Sequence, residues 1–254
     1  MAPDLAGRTA LITGAGRGLG RAVALSLAGA GAQVVLLARS SSELDQTRDL
    51  LRDQGVPAGA ILVIAADLAD DGQRSRAAAQ ALAAFRIDIL VNNAAIVEPL
   101  GPTASIAVHD LRLAMETNVL APVMLTASVL PGMLRAGWGR VVNVSSGIAG
   151  RPAGMIGGNA YAAAKAALEA HSINLAAELR DTGVTVNVYR PGGVDTAMQA
   201  WIRGQDPARI GAGLHERFNR SYASGALISP ERSAAALLAH LSGDDTGAIW
   251  DVND

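Results

Sequence analysis

The chain has 254 residues, half of them hydrophobic, with a formal net charge of −2 and no cysteine. That length and apolar content suffice for one large domain with an ample core. The small net charge gives no electrostatic case for nucleic acid or an anionic membrane. The missing cysteines exclude disulfides, thiolate nucleophiles and thiol-bound metals together, which fits a reducing, cytoplasmic setting. Four histidines without HExxH-like spacing predict no metal site. The start, Met1-Ala-Pro-Asp-Leu, has no basic stretch before an apolar run, so no signal peptide is expected.

In chain order, Arg8–Thr13 is a short apolar strand that runs into Gly14-Ala-Gly-Arg-Gly18-Leu-Gly20, and a helix is predicted from Arg21 to Ala30. Gln33–Ala38 is the next strand, apolar throughout as in a parallel sheet covered on both faces. Ser41 and Ser42 are the expected caps of a helix from Glu43 to about Asp53. The alternation goes on with a strand at Ile61–Ala65, a helix at Gln73–Phe85, a strand at Asp88–Asn92 and a long helix near Val108–Arg135. Within that helix, Thr117–Leu134 carries no charge for 18 residues, barely a bilayer span, and is read as a buried helix. A strand at Gly139–Ser145, a helix at Asn159–Asp181 and a strand at Val184–Tyr189 follow. Residues 196–226 are mixed and rich in Arg and Gly; they are expected to form a mobile substrate lid that orders on binding. Ser229-Pro230 starts a last helix and Gly247–Val252 a last strand. Strands alternating with helices predict right-handed βαβ units in one doubly wound α/β domain spanning 1–254, with helices on both faces of a parallel sheet.

The glycines Gly14, Gly18 and Gly20 sit between a strand and a helix, where they permit a tight turn and where the helix N-terminus offers free N–H groups to a pyrophosphate. The spacing is GxxxGxG. An NAD-preferring site places a carboxylate after the second strand; here Ala38-Arg39 stands instead, and Arg17 in the loop is near enough to join it. Two guanidiniums and no carboxylate suit a 2′-phosphate, so the expected cofactor is NADP(H).

Among 254 residues there is one lysine, Lys165, placed four residues after Tyr161 on an Ala-rich helix. Residues at i and i+4 share a helical face, and a close ammonium is expected to favour the phenolate of Tyr161. The pair is a candidate proton donor and acceptor.

With Thr13-Gly14-Ala-Gly-Arg-Gly18-Leu-Gly20, Asp67-Leu68, Asn92-Asn93-Ala94-Ala95, Asn118, Val144-Ser145-Ser146, Tyr161-xxx-Lys165 and Arg190-Pro191-Gly192 with Thr196, the chain resembles the short-chain dehydrogenase/reductase family along essentially its whole length. The resemblance implies a Rossmann-like sheet of seven parallel strands, commonly assembled as a homotetramer. It implies Tyr161 as general acid or base and Lys165 on the nicotinamide ribose. Ser146 would lie on the substrate oxygen, and Asn118 would distort its helix to hold a relay water. Further cofactor contacts are implied from Leu19 in the glycine loop, Asp67 and Leu68 at the adenine, and Asn93 and Ala94 at the ribose. Pro191, Gly192, Val194 and Thr196 would meet the carboxamide and phosphates.

The implied activity is hydride transfer between NADP(H) and a ketone or secondary alcohol, as in a carbonyl reductase or alcohol dehydrogenase. A catalytically idle NADP(H)-binding sensor, or a dehydratase or epimerase on the same fold, is the alternative. Partners would be a small carbonyl or alcohol and further copies of the chain, with no nucleic acid and no membrane. The chain departs from the pattern in two places. Ala95 stands where Gly is frequent, and Ser146 lies two residues further from Tyr161 than usual, which leaves Ser145 as a competitor. The walls of the substrate pocket are expected from residues 96–100, 147–159 and 197–226, with Met155, Ile156, Met198 and Trp201 as apolar candidates.

Overall fold

A computed structural model describes residues 4–253; the first residues, on which part of the signal-peptide reading falls, lie outside them. Seven strands form one sheet in the order β3-β2-β1-β4-β5-β6-β7, and every pairing is parallel. They are β1 Thr9–Thr13, β2 Gln33–Ala38, β3 Ile61–Ala65, β4 Ile89–Asn92, β5 Gly139–Val144, β6 Val184–Arg190 and β7 Ile249–Asp251. Period-two alternation sends neighbouring side chains to opposite faces. Ala10 and Ile12 of β1, with Val34 and Leu36 of β2, enter one core against α1 (Gly18–Gly29) and α10 (Pro230–His240). Leu11, Val35 and Leu37 enter the other, against α3 (Asp71–Ala84), α5 (Ala121–Ala136) and α6 (Asn159–Glu178). The strands are apolar throughout because both faces are covered.

The helix bounds differ from the expected ones for local reasons. Helix α2 is Ser41–Asp53, and its cap is Ser40, not Ser41 or Ser42: the Ser40 hydroxyl accepts from the Glu43 N–H at 3.2 Å. Asp70 caps α3 in the same way, so that helix begins two residues early. The long helix is α4 (Val108–Met115), a π-turn (Glu116–Leu120) and α5 in succession. The run Val108–Ala136 is long and apolar enough to cross a membrane by length and composition. The expectation that it is buried holds for one face only. Leu125, Val129 and Met133 lie in the core, while Leu120 and Met124 are exposed.

Residues 197–223, expected as mixed structure, fold into α7 (Ala197–Arg203), α8 (Pro207–Ile210) and α9 (Ala212–Ala223). These helices do not pack on the sheet. Ile202, Ile210 and Leu214 instead form a third apolar cluster with Val97, Leu100, Ile148, Met155 and Ala162. Strand order reverses between β1 and β4, so a crevice opens at the C-terminal ends of those strands, where doubly wound folds bind ligands.

Candidate active site

The crevice begins with the glycine loop after β1. Gly14 and Gly18 have φ of +66° and +53°, in the left-handed region that favours glycine. A Cβ on Gly20 would overlap the Gly14 carbonyl oxygen and come within 2.5 Å of the Asn93 amide. The loop is therefore drawn tight over the N-terminus of α1, whose N-cap residue, Arg17, supplies no side-chain cap. A bare helix N-terminus under a glycine turn is a cradle that fits the pyrophosphate of a dinucleotide. Thr196 lies beside it, with Cγ2 3.3 Å from where a Cβ on Gly18 would be.

Two devices that local patterns did not reveal hold the cradle. The Thr13 hydroxyl accepts from the N–H groups of Asn93 and Ala94, both at 2.9 Å, and the Asn93 amide donates to the Thr13 carbonyl at 2.9 Å. These bonds lock the ends of β1 and β4 together. Arg21 donates from Nε to the Gly16 carbonyl at 3.0 Å and to Thr47 at 3.1 Å, which ties the loop to α2.

The adenosine end corrects one expectation. Arg39 is exposed and forms no ion pair with a described residue. Arg17, however, is paired with Glu43 at 3.1 Å. A carboxylate does reach this region, from the first turn of α2 instead of the end of β2. Asp67 is half-buried, and its carboxylate accepts from the Ala69 N–H at 3.0 Å. Leu19 and Leu68 are buried, so only their main chains are available to a ligand.

At the other end, Tyr161 and Lys165 lie on α6 with the Lys165 Nζ 5.8 Å from the Tyr161 ring centroid. Lys165 is 2% exposed and donates to the Val144 carbonyl at 2.7 Å. Burial pushes its ammonium down to about 8, against the pull of Glu169. Burial pushes Tyr161 up to about 12, with the Ser146 hydroxyl pulling the other way. The direction is opposite to the one expected for Tyr161: desolvation dominates, only partly offset by Ser146, and the Lys165 ammonium is directed onto the Val144 carbonyl. The phenol is kept protonated, as a proton donor requires.

The two serines separate by their partners. Ser145 is buried and donates to Glu169 Oε1 at 2.7 Å. Ser146 is half-buried and reaches Tyr161. Asn118 is fully buried in the π-turn, and its amide pairs with the Ile96 backbone, accepting from N–H at 2.9 Å and donating to C=O at 2.8 Å. The helix is distorted where expected, and the Asn118 side chain holds the β4–α4 loop through Ile96. Pro191 accepts from Ser233 Oγ at 3.1 Å, Gly192 has φ of +76°, and Val194 is buried beside Ile228.

The three predicted wall segments meet above Tyr161 in the third apolar cluster, with Met198, Trp201 and Phe218 at its edge. Met155 belongs to it; Ile156, at 83% exposed, does not. Outside it, a groove of about 540 Å³ is lined by Pro102, Met155, Ile156 and Ala162. Glu216 and Arg217 lie on the exposed face of α9. Sequence reasoning also missed the pairing of Glu169 with Arg190. The available signal was a carboxylate one turn after the only lysine and a cation ending an otherwise uncharged strand.

A family model described as short chain dehydrogenase matches residues 8–207. A 3-oxoacyl-(acyl-carrier-protein) reductase of Pseudomonas aeruginosa is 36% identical over 201 residues, covering 77% of this chain and 77% of that protein. A short chain dehydrogenase of Pseudocercospora fijiensis is 37% identical over 201 residues, 78% of this chain but 63% of that protein's length. Among solved structures, a protein from Beutenbergia cavernae assigned as an NAD(P)-dependent gluconate 5-dehydrogenase, with NADP bound at low occupancy, superposes with a TM-score of 0.85. It is 32% identical, over 98% of this chain and 96% of that one.

Proposed function

This chain belongs to the short-chain dehydrogenase/reductase family, and from that premise we propose that it is an NADP(H)-dependent carbonyl reductase, interconverting a ketone and a secondary alcohol. The observation that carries the reading is the placement of Tyr161, in reach of Ser146 and with the buried Lys165 Nζ 5.8 Å from its ring, against an apolar cluster. The nicotinamide, when bound, supplies or takes up the hydride. Tyr161 gives its proton to the carbonyl oxygen, and the Ser146 hydroxyl donates a hydrogen bond to that oxygen as charge develops on it. Lys165 favours the phenolate left behind. The side chains of the third cluster keep water from the reacting carbon and favour an apolar ketone. The reductase and dehydrogenase relatives named above support the class of reaction.

The glycine cradle, Asp67 and Thr196 would hold the dinucleotide, and Arg39 would meet a 2′-phosphate. The Arg17–Glu43 pair is exposed, at 61% and 31%, and an exposed pair of this kind is worth at most about 1 kcal/mol. A phosphate is therefore able to displace Glu43 from Arg17. Fluorescence titration with NADPH and NADH tests this. NADPH is expected to bind at least about tenfold tighter, a difference near 1.4 kcal/mol, and Arg39→Asp is expected to abolish the preference. Equal binding of the two nucleotides would overturn the NADP(H) reading. Binding of neither would overturn the dehydrogenase reading itself.

A further inference from the structure

Behind Tyr161 and Lys165 lies a second charged group that the chemistry above does not use. Glu169 stands one turn after Lys165, so the two share a face of α6, and both are buried, at 7% and 2% exposed. Two other elements hold Glu169. Arg190, at the end of β6, forks onto it with Nε to Oε1 at 2.9 Å and Nη2 to Oε2 at 2.7 Å. Ser145, just beyond β5, donates to Oε1 at 2.7 Å. Lys165 in turn donates to the carbonyl of Val144, the residue before Ser145. A closed ring results, running from Lys165 through Val144 and Ser145 to Glu169 and back along the helix.

Charge accounting gives the ring its meaning. A buried ion is tolerated only when paired and hydrogen-bonded. Glu169 lies between two cations, the buried Lys165 on its own helix and the half-buried Arg190 from β6. The remaining groups that face them are the Tyr161 phenol on α6, the neutral Ser145 just beyond β5, and Asp251 of β7, which acts on Arg190. The π-turn packed on α6 contributes the neutral Asn118, paired with the Ile96 backbone.

We propose that Glu169, locked by Arg190 and Ser145, is a positioning residue that supplies the fixed counter-charge to the Lys165 ammonium. The proposal rests on the reading that Lys165 acts in its charged form. A pair that merely stapled α6 to β6 would leave the protonation of Lys165 untouched.

Lys165 is the only lysine in the chain. Protein grown with lysine isotopically labelled at Cε therefore gives a single side-chain signal, and its pH titration reports Lys165 directly. The wild-type midpoint is expected at about 8. Glu169→Gln removes the counter-charge and is expected to lower the midpoint by about one unit or more. Arg190→Gln removes the competing cation and is expected to raise it. Glu169→Asp keeps the charge and is expected to stay near wild type. A midpoint unmoved in Glu169→Gln, or shifts of the same sign in Glu169→Gln and Arg190→Gln, would overturn the proposal. Should Glu169→Gln fail to fold, Arg190→Gln decides alone: an upward shift supports the proposal, and no shift or a downward one overturns it. The titration needs neither nucleotide nor turnover. A protein that bound no NADPH would sink the dehydrogenase reading and leave this result standing.

Discussion

Tyr161→Phe is expected to lower kcat for ketone reduction by a hundred- to ten-thousand-fold, with the NADPH Kd nearly unchanged. Phe keeps the ring, which packs against the apolar cluster of Val97, Ile148 and Met155, so the fold has no cause to change. Only the hydroxyl goes, and with it the group that burial holds as an acid at about 12. Ser146 remains but is no stronger an acid than an ordinary alcohol, and Lys165 is directed onto the Val144 carbonyl. No neighbouring group is therefore placed to deliver a proton to the substrate oxygen. The loss corresponds to about 3–5 kcal/mol of transition-state stabilisation. Steady-state rates of the variant, alongside NADPH titration to show that the cradle is intact, would check it. A variant keeping more than about a tenth of wild-type kcat would show that the proton comes from elsewhere.

What the sequence made legible was what depends on short-range spacing. The run Thr9–Thr13 followed by three glycines predicted both a buried strand and a tight turn onto a helix N-terminus, because turn, approach and helix start all lie within a dozen residues. The Tyr161–Lys165 pair was legible for the same reason. Long-range partners were not. Glu43 meets Arg17 across 26 residues, and Glu169 meets Arg190 across 21, and no local pattern marks either. The different partners of Ser145 and Ser146 were not legible either, since they depend on Glu169, whose carboxylate takes the Ser145 hydroxyl. The expected direction for Tyr161 failed because proximity in sequence says nothing of burial or of where an ammonium is tethered. Apolar composition likewise could not divide Met155, which faces the cluster, from Ile156, which faces outward.

The burial of Lys165 has a consequence for stability that can be measured. An unfolded lysine titrates near about 10.4, whereas in the folded chain the ammonium gives up its proton at about 8. Between those values the unfolded state binds more protons, so stability rises with pH across the window. Below about 8 both states are charged, and the fold carries the full cost of a buried ammonium. The contribution gained on going from neutral pH to pH of about 10 is of order 2–3 kcal/mol. Tyr161 and Tyr189, both raised by burial, work in the opposite direction above their ordinary value of 10.0 and close the window from above. Lys165→Met removes the titration and keeps the volume. Urea unfolding of the two proteins at several pH values would isolate the effect. The variant is expected to be the more stable at neutral pH, with the difference shrinking as pH rises toward about 10. A constant difference across the window would mean that Lys165 titrates alike in the folded and unfolded chains.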